Sequence, residues 1–102
     1  MDILIKNMHR NKPQYAFEFK VDRTTPVGNP YSMTKGYTRQ EACDKYMLEF
    51  EERLKEPEFK AYIDDMIKAY NRYGRLHLFC WCVPLRCHAE TIKRYILSQV
   101  QQ

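Results

Sequence analysis

Apolar and polar residues alternate from Tyr15 to Asp22, with Tyr15, Phe17, Phe19 and Val21 on one face and Ala16, Glu18, Lys20 and Asp22 on the other. A period of two predicts a half-buried strand. Ile3-Leu4-Ile5 is a shorter strand candidate, and Asn11-Lys12-Pro13 interrupts between the two. Periodicity is lost from Arg23 to Tyr37, where Pro26, Gly28, Asn29, Pro30, Ser32 and Gly36 predict a long loop. Loops of this length inside a small domain usually serve a function or move.

Thr38-Arg39-Gln40-Glu41 has the spacing of a capping box, so a helix is expected to begin at about Arg39. Ala42, Cys43, Tyr46, Met47, Phe50 and Leu54 give that helix one apolar stripe. Pro57 opens a second helix whose apolar set is Phe59, Tyr62, Ile63, Met66, Ile67 and Tyr70, and Gly74 supplies its stop. Arg75 to Trp81 reads as a buried strand, with Leu76, Leu78 and Cys80 on one face and His77, Phe79 and Trp81 on the other. A last helix over about Cys87 to Val100 turns Ala89, Ile92, Ile96 and Val100 inward. The order β-β-loop-α-α-β-α predicts one small α/β domain over residues 1–102. Its short sheet has the cysteine-bearing strand at its centre and about three helices packed on it.

Composition narrows the class. An apolar fraction of 44% excludes a disordered chain. No apolar run reaches the roughly 20 residues of a membrane span, and the first residues lack a signal-peptide layout. The expectation is a soluble, cytoplasmic protein whose thiols stay reduced, so clustered cysteines read as ligands or reactive groups before disulfides.

The formal charge of +4 is unevenly spread. Residues 1–40 carry seven basic and three acidic groups, residues 41–74 six and nine, and residues 75–102 four and one. If the two basic parts meet in space, they favour an anionic ligand. The alternative is an ordinary alternation of acidic helices with basic strands. Nucleic acid is the weaker partner, because dense Lys/Arg clustering is missing.

The chemistry concentrates between Leu78 and His88, which hold three of the four cysteines, the sole tryptophan and one of three histidines. Cys80 and Cys82, two apart, share a strand face, and Cys87 and His88 follow at the expected helix start. One reading is a Cys₃His zinc site of Cys80, Cys82, Cys87 and His88. Another is a nucleophilic or redox thiol at Cys87, favoured by helix-start amides and by Arg86, with His88 or His77 as base. The third is packing, since cysteines are often small buried hydrophobes. Cys43 is expected in the core, His9 in solvent, and His77 as a satisfied core or edge residue. In the Arg23–Tyr31 loop, Gly28 can take positive φ, and Asn29 can bind a base, sugar or phosphate. Arg23 and Arg39 bracket that loop, and a helix start at Arg39 is itself an anion site.

Together, Arg23, Gly28-Asn29-Pro30-Tyr31, Arg39 with Tyr46, and Cys80-Trp81-Cys82 followed by Cys87-His88-Ala89-Glu90 resemble the small bacterial and phage domains catalogued as domain of unknown function 4326. The resemblance runs from about Val21 to Ile96 and departs from the family at Val27, where a tryptophan often stands. It implies a shared pocket of these residues and no established activity; the expectation drawn from the residues is that Arg23, Gly28, Asn29, Arg39 and Tyr46 attend a nucleotide-like or other anionic ligand there. If the domain is an enzyme, Cys87 is the nucleophile, His88 the acid/base and Glu90 the orienting acid. The competing expectation is a non-catalytic, zinc-stapled module that contacts a host protein through its acidic helices. Two geometric expectations follow. The Cys80, Cys82 and Cys87 sulfurs should cluster, and the Arg23–Tyr31 loop with the helix start at Arg39 should approach Cys87 and His88.

Overall fold

A computed structural model describes residues 2–31, 33–81 and 85–100. Three strands, β1 (Asp2–Asn7), β2 (Glu18–Lys20) and β3 (Arg75–Cys80), form one parallel sheet in the order β1-β3-β2. β3 is therefore central, as its near-continuous apolar run requires, and everything from Leu76 to Cys80 is buried. Ile3 pairs with Leu76 and Asn7 with Cys80 on one side, while Phe19 pairs with Leu78 and Lys20 with Phe79 on the other. One residue beyond each outer strand the ladder continues, through Met8 N to Cys80 O and Val21 N to Phe79 O, both 2.9 Å.

Three helices complete the fold: α1 (Arg39–Arg53), α2 (Pro57–Tyr73) and α3 (Ala89–Val100). Both halves of the capping box form, with Glu41 N donating to the Thr38 hydroxyl and Thr38 N to the Glu41 carboxylate. Pro57 opens α2, and Gly74 ends it in a left-handed conformation, φ 72°. α2 lies against β3, and α3 against both β1 and β3. Their inward residues Ile63, Met66, Ile92 and Ile96 share one core with Ile3, Leu76 and Leu78 and with Tyr46 and Phe50 of α1.

Two boundaries differ from the periodicity. The strand expected from Tyr15 shrinks to Glu18–Lys20, and Tyr15 is 62% exposed. The cause is local: the Glu18 carboxylate accepts the amides of Gln14 (2.8 Å) and Tyr15 (3.2 Å), folding the chain into a turn before the sheet. Trp81 leaves the strand altogether and is half exposed. The loop from Arg23 to Tyr37 also contains a short 3-10 turn, Met33–Lys35. Among the described residues no helix is long and apolar enough to cross a membrane.

Candidate functional site

Because the strands are parallel, β2 and β3 deliver their carboxyl ends to the same edge of the sheet. There the chain opens a cavity of about 240 Å³. The end of β2 contributes Asp22, Arg23 and Thr24, and the end of β3 contributes Cys80 and Trp81. The intervening loop adds Asn29 and Tyr31, α1 adds Arg39, Ala42 and Cys43, and the approach to α3 adds Arg86, Cys87 and His88. The two segments some fifty positions apart in sequence thus meet around one space. Ligand sites of open parallel sheets characteristically lie outside the carboxyl ends of the strands.

Close backbone approach shapes the loop. Gly28 N donates to Thr25 O at 3.1 Å, and a Cβ at Gly28 would lie 2.5 Å from Arg23 Cα and closer still to Asp22 O. Glycine is required here by contact, whereas the sequence suggested positive φ; only Gly36 and Gly74 take it. Arg53 reaches from α1 to the carbonyls of Pro26 (3.2 Å) and Gly28 (3.4 Å). The Tyr46 hydroxyl donates to Val27 O at 2.7 Å. Burial pushes the Tyr46 phenol far above its ordinary value, so it stays a neutral donor beneath the site, its ring 4.9 Å from that of His88. Asn29 accepts Tyr31 N and donates to Ala42 O, both 3.0 Å. Its side chain therefore ties the loop to α1.

The arginines differ in how far they are committed. Arg23 Nε donates to Asn29 O at 2.9 Å, and its terminal nitrogens have no partner among the described residues. Arg86 pairs with Asp44 at 2.9 Å. Arg39, the first residue of α1, is half-buried, and its side chain makes no hydrogen bond or ion pair with a described residue. Among the described residues of the lining Asp22 is the one carboxylate. Burial raises its pKa, but hydrogen bonds from the Thr24 hydroxyl and amide and from Trp81 outweigh this and hold the carboxyl below its ordinary value. Trp81 Nε1 donates to Asp22 Oδ2 at 3.0 Å, which fixes a ring that is 47% exposed. With Arg86 paired to Asp44, Arg23 and Arg39 against Asp22 leave the described lining net positive.

The centre of the site is a chain of three contacts. Cys87 Sγ lies 2.9 Å from Cys80 Sγ and 3.6 Å from His88 Nδ1, and His88 Nε2 lies 2.5 Å from the carbonyl of Val21. A carbonyl only accepts, so this contact assigns the proton of the neutral imidazole to Nε2. Nδ1 is left with its lone pair facing the thiol, and the Val21 carbonyl orients the ring. Cys87 stands two residues ahead of α3, and its carbonyl and that of His88 accept the amides of Glu90 (3.1 Å) and Thr91 (3.0 Å).

Arg23, Asn29, Arg39, Cys80, Cys87 and His88 therefore line one cavity, while Gly28 and Tyr46 support its wall from behind. Glu90 is exposed on the first turn of α3, outside the lining, and the orienting partner of His88 is the Val21 carbonyl. Cys82 lies outside the described residues, so only the Cys80–Cys87 part of the expected sulfur cluster is described. Among the described residues no three His, Cys, Asp or Glu side chains are arranged to hold a metal ion. Sequence reasoning passed over Cys43 and Asp22. Cys43 is buried on the α1 stripe as expected, yet it also borders the cavity. The Asp22-x-Thr24 spacing at a strand end is an Asx-turn signal that could have drawn attention to Asp22. His9 is exposed against Trp81, and His77 is a buried partner of Glu18.

The family described as Domain of unknown function (DUF4326) matches residues 5–98, nearly the whole chain. No curated protein and no solved structure matches it.

Proposed function

Taking as premise that the chain belongs to the DUF4326 family, whose description carries no activity, we propose that it binds a compact anionic ligand and presents the Cys87 thiol to it as a nucleophile. The observation that carries this reading is the convergence of Arg23, Arg39 and Arg86 with the Cys87–His88 pair around one cavity at the strand ends. A volume of about 240 Å³ lies below the roughly 300–1,000 Å³ of drug-sized sites. It suits one mononucleotide or sugar phosphate and not a dinucleotide. The faces of Trp81 and Tyr31 offer apolar surface for a ring.

In this mechanism Arg39 and the terminal nitrogens of Arg23 hold the anion and set its electrophilic atom against Cys87 Sγ. His88 Nδ1 accepts the thiol proton, its ring held by Val21 O. The thiolate attacks, and the proton passes from Nδ1 to the departing group. Asp22 anchors Trp81 and does not touch the reacting atoms.

Calorimetric titration with a panel of nucleoside monophosphates and sugar phosphates tests the reading. Arg39→Ala should weaken binding about tenfold or more, since charged hydrogen bonds are worth about 1.5–3 kcal/mol. Its melting temperature should hardly move, because the Arg39 side chain has no hydrogen bond or ion pair to lose among the described residues. A fall in stability with unchanged affinity would make Arg39 structural and remove the anion site.

The second reading, a zinc-stapled module contacting another protein, draws support from the Cys80 and Cys87 sulfurs sharing one wall with His88. Elemental analysis with a thiol count separates the two. One zinc per chain and masked thiols favour the module, and a rapidly alkylated Cys87 favours the nucleophile.

A further inference from the structure

Cys80 and Cys87 occupy different elements, the last position of β3 and the approach to α3, yet their sulfurs are 2.9 Å apart with no disulfide between them. That separation is inside ordinary sulfur contact. Both thiols border the cavity, so a small oxidant reaching one finds the other beside it. Among the described residues Cys43, which projects from α1, is the third cysteine of the lining. Asp22, the carboxylate among the described lining residues, is occupied by Thr24 and Trp81.

We infer that Cys80 and Cys87 are an oxidation site, in which Cys80 resolves oxidised Cys87 as a disulfide that reversibly removes the nucleophile. The oxidant is a small hydroperoxide, with hydrogen peroxide as the simplest case. The Cys87 sulfur attacks one peroxide oxygen, the O–O bond breaks, and the thiol proton leaves with the other oxygen as water. Cys87 is then a sulfenic acid. The Cys80 sulfur attacks that sulfur, expels its hydroxyl, and the Cys80 proton completes a second water. Two thiols and one peroxide thus give one disulfide and two waters. A dithiol reductant restores both thiols by exchange.

The disulfide needs little movement of either backbone, because the sulfurs already touch. It also prevents further oxidation of Cys87 to the irreversible acids. Anion binding should survive the oxidation, since the arginines take no part in it. The inference rests on the thiol contact and stands or falls separately from the ligand reading: a chain that binds no phosphate ester could still form the bond.

Peptide mapping of the intact protein tests it. Trypsin cuts after Arg75, Arg86 and Lys93, which places Cys80 and Cys82 on the 76–86 peptide and Cys87 on the 87–93 peptide. After brief treatment with hydrogen peroxide and blocking of remaining thiols, non-reducing digestion should yield these two peptides joined. Fragmentation should place the bond at Cys80 and leave Cys82 blocked. Alkylation of Cys87 should be lost and return with dithiol. Cys82→Ser should still form the bond, whereas Cys80→Ser should accumulate Cys87 sulfenic acid, trapped by a dione reagent. If Cys80→Ser fails to fold, the wild-type fragmentation alone decides. Cys87 joined to Cys82 or Cys43, or over-oxidised with no cross-link, would overturn the assignment.

Discussion

Gly28→Ala gives the sharpest test of how the loop is built. The added methyl would sit 2.5 Å from Arg23 Cα and 2.7 Å from the Asp22 carbonyl carbon, inside the 3.0 Å that Cβ atoms do not cross. Every one of these neighbours is backbone, so no side chain can swing away. The turn cannot simply open, because the Asp22 carbonyl also accepts Thr25 N (3.0 Å) and Thr25 Oγ1 (2.8 Å). Overpacking of this kind costs about 1–3 kcal/mol, which lowers the melting midpoint of a chain this size by roughly 5–20 °C. The displaced segment also carries the Asp22 carboxylate that holds the indole of Trp81. Trp81 is the only tryptophan, so its emission reports the displacement directly. Gly28→Ala should melt early and shift the Trp81 emission. Gly36→Ala, where φ is +97° but nothing stands within 4 Å, should add backbone strain and leave the emission unchanged. A Gly28→Ala protein with wild-type melting and emission would refute the close approach and the wall built on it.

Acid should weaken the fold through Glu18. Burial raises its carboxyl, but the hydrogen bonds from His77, Gln14 and Tyr15 and the His77 charge outweigh that and hold it below its ordinary value of 4.5. Because the folded-state pKa is the lower one, the unfolded chain binds the proton more readily; the stabilisation is complete above about 4.5 and fades as pH falls through that value toward the folded one. Glu18→Gln should flatten the acid side of a melting-versus-pH curve, and an unchanged slope would show that another group sets it. Tyr46→Phe should cost about 1–3 kcal/mol by leaving the buried Val27 carbonyl without its donor. Denaturant unfolding within error of wild type would mean that another donor replaces the phenol.

Much of the fold could be read from local signals because its helices stop and start on them. Thr38 with Glu41, Pro57 and Gly74 each act within one turn of chain, and each marks a real boundary. β3 was legible because a strand buried on both faces needs a near-continuous apolar run, here interrupted only by His77. β2 was overread: alternation from Tyr15 to Val21 says nothing of a glutamate carboxylate that captures two amides upstream. The site was legible as a pair of segments and illegible in its details. Arginines beside turn residues and thiols beside a histidine mark chain positions that the fold gathers around one cavity. Whether Asn29 meets a ligand or Ala42 O, and whether Glu90 or Val21 orients His88, depends on how separate elements pack. No periodicity encodes that.

One residue shows why topology decides the chemistry. Val21 follows β2, and its amide donates to Phe79 O while its carbonyl meets His88 Nε2. Its two backbone groups therefore connect the central strand to the imidazole that faces Cys87. This is open to Val21 only because β2 runs parallel to β3 and beside it, so that both strands end at the same edge. An antiparallel β2 would carry Val21 to the opposite edge, and the Nε2 proton would lose its acceptor. The same parallel placement requires a long return from β2 to β3, and that return is the loop, α1 and α2, which brings Arg39 and Cys43 to the cavity. The imidazole tautomer, the position of the arginine and the half-exposed indole over Asp22 are thus consequences of a single strand order.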